Sequence, residues 1–364
     1  MKKRLKKIVL GISGGISFLL FLILSLIAGH LGKSQDAQMA AARWSEEKSV
    51  SQVSCFFSEN AAISKDRIQM LEHTVDNALQ EASVVNESEN PSARLWADAY
   101  GVTGTVTISN DNGSLSADAI GIGGDFFLFH PLKLLSGAYF SGNDLMQDYC
   151  IIDQDAAWQL FGSNNVAGMT VYIDGMPHIV SGVVERPEGR LEKAAGLDGS
   201  FVYLTYDTFE KLNKDTDIDY FEIVMPNPVT GFAYGFVLEQ LGDSDGRKTE
   251  VIENTTRYSF VNCAKRILEF GTRSMNGKAI IYPYWENIAR GYEDILTVIT
   301  LFRILFFAYT IILGMVLFTI WWRHKGWTVR DVRLFLTDKL ERGMERIRAR
   351  RLKKKKKGKE EELL

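Results

Sequence analysis

Catalytic signatures are the first thing this chain lacks. Its five histidines, at 30, 73, 130, 178 and 324, are scattered and form no HExxH pair. There is no GxSxG elbow, and Gly121-Ile122-Gly123-Gly124 has no Lys-Ser/Thr after it to make a phosphate loop. Asp215, Asp217 and Asp219 alternate like the start of a calcium loop, but Tyr220 stands where that loop needs Gly and no Glu closes it. The expectation is no enzyme, no cofactor and no resident metal. Cysteine is scarce too. Cys55, Cys150 and Cys263 are three in number with no CxxC, which excludes a full disulfide framework or a zinc cluster. Cys150 sits in an apolar strand and reads as buried, while Cys55 and Cys263 are free to pair. Only seven prolines occur in 364 residues, and none follows Pro283. A helix begun there meets no proline before the C-terminus.

What the chain has is a sharp partition of charge. Residues 1–7 hold five Lys/Arg and no acid. Residues 30–294 hold 20 Lys/Arg against 38 Asp/Glu, a net of −18. Residues 323–364 hold 16 Lys/Arg against seven Asp/Glu, a net of +9. Two apolar runs divide these regions: Ile8–Gly29, 22 residues without a charge, and Ile304–Trp322, 19 residues. At ~1.5 Å per residue each is long enough for ~30 Å of hydrocarbon. Their basic outer flanks predict both termini in the cytoplasm and residues 30–294 outside. The first run exceeds the ~7–15 residues of a signal-peptide core and no A-x-A site follows, so it reads as an uncleaved anchor. Gly11 and Gly15 form a GxxxG pair within it, a spacing that also arises by chance.

In chain order, Lys33 to Phe57 is Ala-rich and free of Gly and Pro, and predicts a helix continuing out of the membrane. Lys65–Ala82 places Ile68, Leu71, Val75 and Leu79 on one helical face behind Ser64 as N-cap. Short strands follow over Leu95–Tyr100, Gly104–Ser109 and Ala117–Ile122. Later, a strand over Tyr220–Met225, helices over Gly231–Leu241 and Phe260–Phe270, and strands over Glu250–Glu253 and Lys278–Tyr282 are expected. From Pro283 onward, Trp285, Ile288, Tyr292, Ile295 and Ile299 step by three and four, a heptad-like seam on a stalk helix that leads into the second span. Its expected partner is the helix from the first span. Arg303 near the outer end of that span is expected to snorkel. In the tail, Val332, Leu336, Leu340, Met344 and Ile347 line one face of a basic helix suited to an anionic lipid surface, with Lys353–Lys357 adding attraction. The tail adjoins a span and lacks interleaved aromatics, so nucleic acid is not the expected partner.

The most informative stretch is Asp125–Pro187. A buried segment, Phe126–Leu135, runs into a turn at Gly137. A strand over Tyr149–Ile152 leads to a short helix, Ala156–Phe161, with Asp155 as N-cap and Gly162 as its stop. Strands Thr170–Ile173 and His178–Val184 flank Asp174-Gly175, a hairpin signal. This order resembles the periplasmic core domain of MacB-type, FtsX-like ABC permeases. The motif positions are Leu134, Gly137, Tyr139-Phe140, Leu160-Phe161-Gly162, Val166, Gly168, Gly175 and Val180-Ser181-Gly182-Val183-Val184.

The resemblance implies an α+β fold: a mixed α/β domain between two transmembrane helices, with a core and a smaller second subdomain. The boundaries expected are a basic N-terminus (1–7), a span (8–29), a stalk helix (30–62), the core (63–218), the second subdomain (219–282), a stalk helix (283–303), a span (304–322) and a basic tail (323–364). It also implies a non-enzymatic mechanical transmitter in a lipid bilayer, working with a separate ABC ATPase or a second permease subunit. Members of the group carry three spans after the external domain and an E-R-x-x-E-I-G coupling segment. Here one span is visible there, and Arg323–Leu336 shows no such segment. A second reading is an extracytoplasmic sensor or adaptor with two spans.

Overall fold

The first helix, α1 (Lys2–Lys33), ends where the chain turns through a short 3-10 segment, Asp36–Gln38. These positions come from a computed structural model that describes residues 2–45, 49–84, 93–213, 216–242, 248–269, 281–326 and 330–345. After the turn, α2 (Ala40–Trp44) is brief and β1 (Val50–Phe57) begins. The stalk helix expected over 30–62 therefore stops early. Alanine favours helix only up to Trp44. Val50-Ser-Gln-Val-Ser-Cys-Phe-Phe57 is rich in β-branched and aromatic residues and is almost wholly buried, as a central strand requires. Gln52 fixes the turn from β1: its amide donates to Ala37 O at 2.7 Å and its carbonyl accepts from Ala40 N at 2.9 Å.

Helix α3 (Lys65–Glu81) buries Ile68, Leu71, Val75 and Leu79, with the Ser64 hydroxyl accepting from Arg67 N. The two strands expected over 95–109 are one, β2 (Ala97–Asn110), hairpinned to β3 (Gly113–Gly124). Then follow α4 (Phe126–Phe129), β4 (Leu134–Gly137), β5 (Tyr149–Asp153) and α5 (Gln154–Phe161). Asp153, not Asp155, caps α5: it ends a strand in extended backbone and its carboxylate accepts from Ala156 N. Strands β6 (Thr170–Ile173) and β7 (Met176–Val184) form the hairpin, with φ of 44° at Asp174 and 85° at Gly175. Two positive φ values give the primed turn whose twist matches the strands.

After β7 comes α6 (Arg190–Ala194). Beyond it lie β8 (Phe201–Thr205), α7 (Tyr206–Leu212), capped by Thr205, β9 (Tyr220–Pro226), α8 (Phe232–Leu241), β10 (Thr249–Glu253) and α9 (Phe260–Glu269). Of the last expected strand, 278–280 lie outside the described residues and Ile281–Pro283 are not in a strand. The final long helix, α10, spans Tyr284–His324 without a break.

All ten strands join one mixed sheet in the order β10-β1-β9-β2-β3-β8-β5-β7-β4, with β6 bridging β2 and β7. The pairings β2-β3-β8-β5-β7-β6 return to β2, so six strands close into a ring. Residues 219–282 were expected as a smaller subdomain, but β9 lies between β1 and β2 and shares the sheet of the core. Side chains alternate across this sheet. Val53, Cys55 and Phe57 of β1 with Phe221, Ile223 and Met225 of β9 face a core that includes α3 and α8. Phe56, Tyr220 and Val224 face a second cluster with Phe126, Phe129 and Trp285. The three cysteines are free and buried, so the pairing open to Cys55 and Cys263 is not made: Cys55 belongs to the first core and Cys263 to α9.

Residues 22–303 form one compact unit, and 1–21 with 304–364 another. In the latter, the Ser17 hydroxyl donates to Phe306 O at 3.0 Å, Phe21 and Phe307 rings lie 5.0 Å apart, and a Cβ on Gly14 would come within 2.8 Å of Leu313. Gly14 is thus the close-approach position, while Gly11 and Gly15 face open space. Residues 330–345 are helical, with Val332, Leu336, Leu340 and Met344 exposed, and Ile347 and 353–357 lie outside the described residues.

Candidate functional site

On the second face of the sheet, the alternation that buries Phe56 also buries Ser54 and Glu222. Polar groups in such a place need partners, and they find them in a chain of side chains. Glu222 pairs with the ring Nε2 of His130, just after α4, and accepts from the Ser54 hydroxyl. Asn254, after β10, donates from its amide to Ser54 Oγ at 2.6 Å and accepts from Arg257 Nη1 at 3.1 Å. Arg257 then reaches α10. It donates to both oxygens of Glu286 at 2.7 and 2.8 Å, and from Nε to Glu293 at 2.6 Å.

Two further arginines complete the cluster. Arg266 of α9 donates to Glu293 at 2.6 Å. Arg290 donates to Glu286 at 2.7 Å and to Glu250 at 2.9 Å, with its guanidinium 3.9 Å from the centre of the Tyr282 ring. Among the described residues, three arginines thus meet Glu250, Glu286 and Glu293. Arg257, Glu286 and Glu293 are each no more than 1% exposed. Burial alone would push the Arg257 guanidinium down, but Glu286 and Glu293 overcome it and hold it well above its ordinary value. Bidentate, charge-assisted bonds of this kind fix geometry as well as charge. A cleft of about 600 Å³ opens beside the cluster, lined by Arg257, Arg266, Arg290, Glu250 and Glu293 among others.

The His130 end also touches α10. Its ring lies 4.2 Å from Trp285 and 4.6 Å from Phe126, centre to centre. Tyr258, beside Arg257, donates to Ala289 O at 3.5 Å, and a Cβ on Gly32 of α1 would sit 3.2 Å from its Cβ. Tyr258 therefore fills the space between the outer ends of the two long helices. Gly291 admits Leu191 of α6 in the same manner: a Cβ there would lie 3.0 Å from the leucine. Arg303, expected to snorkel, bonds Ser25 at 3.1 Å and stacks 4.9 Å from Phe260.

The seam read from the sequence is rotated from this face. Trp285 is buried, Ile288, Tyr292 and Ile299 are half-buried, and Ile295 is 40% exposed. The buried line runs through Glu286, Ala289, Glu293, Leu296, Thr297 and Thr300. Hydropathy assigns glutamate to solvent, and the partner Arg257 lies far off in sequence. The one local signal was Glu286 and Glu293 seven residues apart with Arg290 between them, a charged stripe one position over from the apolar one.

The motif residues of 125–187 frame the ring of strands rather than this chain of charge. Gly162 ends α5 at φ 68°, the left-handed position a C-cap glycine takes. Gly137 and Gly168 also have positive φ, and Gly182 lies under Ala138 O at a spacing of 2.9 Å for a Cβ. Phe140 is buried in the second cluster and Phe161 packs on the first.

Fold and site together describe a mixed α/β domain held between two helices that are long and apolar enough to cross a membrane. The chain belongs to the MacB-like periplasmic core domain family, whose model matches residues 8–233. It is 30% identical over 99 residues to the macrolide export ATP-binding/permease protein MacB of Pasteurella multocida, covering 27% of this chain and 15% of that protein. The same protein of Chromobacterium violaceum is 32% identical over 99 residues, with the same shares covered. The chain thus spans about a seventh of the length of these relatives. Among solved structures, the extracellular domain of the noncanonic ABC-type transporter YknZ from Gram-positive bacteria aligns at 16% identity and TM-score 0.38, over 55% of this chain and 99% of that one. The periplasmic region of MacB from Actinobacillus actinomycetemcomitans aligns at 17% and 0.38, over 58% and 92%.

Proposed function

We propose that this protein is a non-enzymatic component of a MacB/FtsX-like ABC system that passes motion between the membrane and its extracytoplasmic domain. One observation carries the reading: α10 is a single helix of 41 residues, and its outer part is bonded to the sheet through Arg257. At 1.5 Å per residue it rises ~61 Å, about twice the hydrocarbon thickness. A displacement of its membrane end would be delivered to Arg257, and from there through Asn254 and Ser54 to Glu222 and His130. The motion would come from a separate ATPase, acting on this chain or on a fuller permease beside it. Both termini would be cytoplasmic, with 30–294 outside. The exposed basic tail helix would rest on anionic lipid. The sensor or adaptor reading uses the same helix in reverse and differs only in partner.

Crosslinking in native membranes followed by pull-down separates the two. Recovery of an ABC ATPase or permease subunit is expected, whereas recovery of a regulator alone would replace transmission with sensing. In the reconstituted complex, a Gly-Ser insertion after Glu293 should abolish coupling to ATP hydrolysis while leaving membrane insertion intact. Orientation is tested at Asn112, exposed in the β2–β3 turn. Because the native cysteines are buried, Asn112→Cys should label in intact cells, and labelling only after lysis would reverse the topology.

A further inference from the structure

Away from the charged chain, a cleft of about 460 Å³ lies between α3 and the start of β2, lined by Glu72, Asp76, Arg94, Trp96, Asp98 and Asn143 among others. Its floor is Asp98, only 6% exposed, whose Oδ2 receives no hydrogen bond from the described residues. Glu72 lines the same cleft, and two carboxyls brought together can bond each other only through a proton they share. Burial, then the charges of Glu72 and Asp125, hold Asp98 protonated well above the usual carboxylate range, and burial raises Glu72 as well.

Among the described residues, no charged group facing the pair donates a hydrogen bond to it, and no bond from the nearby Tyr100 phenol reaches it either. Arg94 gives its Nη1 to Asp125 at 2.6 Å and stands 5.8 Å from the Trp44 ring. Lys65 pairs with Asp207, and His73 on α3 is exposed. Asp76 accepts from the Trp96 indole at 2.7 Å, which pins an aromatic wall next to the acids. Among the described residues no three His, Cys, Asp or Glu side chains gather to hold a metal ion. Two acids without a donor among the described residues, beside an aromatic surface, match a cation that brings several N–H groups of its own.

We propose that this cleft binds an organic cation, a primary ammonium or guanidinium, whose N–H groups bond the carboxyl of Glu72 and the buried, unpartnered Oδ2 of Asp98. A proton held by the two acids leaves to solvent as the cation enters, so the pair becomes a dicarboxylate neutralised in part by the ligand. Affinity should therefore rise with pH, by up to about tenfold per unit where one proton is released. The cation could be a free amine or the basic side chain of a peptide, and the same acceptors would hold either. The proposal stands apart from the transmission reading and would survive its failure.

The test is isothermal titration of the full chain in detergent micelles with agmatine, in two buffers of different ionisation enthalpy, between pH 6 and 8. Saturable binding with release of close to one proton is expected. Asp98→Asn should weaken it at least tenfold while leaving the melting temperature unchanged or higher, because the new amide donates to Glu72. Glu72→Gln serves as the second variant and should do the same. Titrating Gly-Arg-Gly against Gly-Gly-Gly distinguishes the sources: binding of the former equal to or tighter than agmatine assigns a peptide side chain, and binding of agmatine alone assigns a free amine. No saturable binding of either probe overturns the proposal. So does binding that both variants leave intact, or a site that takes calcium chloride and not agmatine.

Discussion

The two faces of β1 and β9 are made by the same strands and do different work. One face, Val53, Cys55 and Phe57 with Phe221, Ile223 and Met225, is mainly apolar and buried against α3 and α8. The other, one residue out of step, carries Gln52, Ser54 and Glu222, equally buried. Apolar contact is non-directional and tolerates small slides. Charge-assisted hydrogen bonds hold one geometry. Where the sheet meets the helices that lead to the membrane, the chain uses the directional kind: Gln52 grips the turn after α1, and Glu222 begins the route through Arg257 to α10. The same domain therefore separates what makes it stable from what attaches it to its helices.

The largest expected effect comes from breaking the second face at its hub. Arg257→Met removes the guanidinium and leaves Glu286 and Glu293 buried, each with one remaining arginine among the described residues. A loss of about 3–5 kcal/mol is expected in chemical denaturation of the purified chain. Ile223→Ala on the apolar face should cost about 2–4 kcal/mol. The two should differ in kind. Arg257→Met should also raise amide exchange at the outer end of α10, over 284–300, and Ile223→Ala should not at comparable residual stability. Equal exchange in both variants would mean that α10 is held by apolar packing alone.

A buried acid without a guanidinium sharpens the contrast. Asp153 caps α5 and is 1% exposed, and its Oδ2 has no hydrogen-bond partner among the described residues. Burial pushes its carboxyl up to about 6, with Asp155 adding to the shift, while the N–H groups of Ala156 and Phe201 and the charge of Arg186 oppose it. The folded value lies above the unfolded one, so the protonated form is the one folding prefers. Its contribution is fully present below pH ~4 and is lost as pH rises through about 6. Two pKa units correspond to about 2–3 kcal/mol. Asp153→Asn keeps a good N-cap, so it should gain up to about 2 kcal/mol at pH 7.5 and nothing at pH 4. A gain independent of pH would show that the charge is not the cause.

The sequence made the local parts of this fold legible. Thr170–Ile173, the Asp174-Gly175 turn, the stop at Gly162 and the helical face of Ile68, Leu71, Val75 and Leu79 depend on neighbours in the chain, where periodicity and turn chemistry operate. The N-cap of α5 fell two residues early, at Asp153, because the last strand residue already has the extended backbone a cap needs. Long-range features were not legible. β1 follows an Ala-rich lead-in, and only its pairing with β9 and β10 makes it a strand. Strand β9 reads as part of a separate lobe because nothing local says that it slots between β1 and β2. Glu286 and Glu293 read as solvent-facing because Arg257 lies 29 and 36 residues away from them.

The smallest effect discriminates between two faces of one helix. Residues 288, 292, 295 and 299 make the apolar line that the sequence offers, and 289, 293, 296 and 300 make the line that is buried. One residue of offset is about 100° of rotation. Ile295 is 40% exposed and Leu296 1%, so the neighbours report on opposite answers. Ile295→Ala should change stability by no more than about 0.5 kcal/mol, as exposed positions do. Leu296→Ala should cost about 2–5 kcal/mol through the cavity it leaves. If the larger loss fell on Ile295 instead, α10 would present its apolar line to the domain, and Glu286 and Glu293 would turn away from Arg257. The apolar face would then do the attaching, and the division of labour between the two faces of β1 and β9 would fail with it.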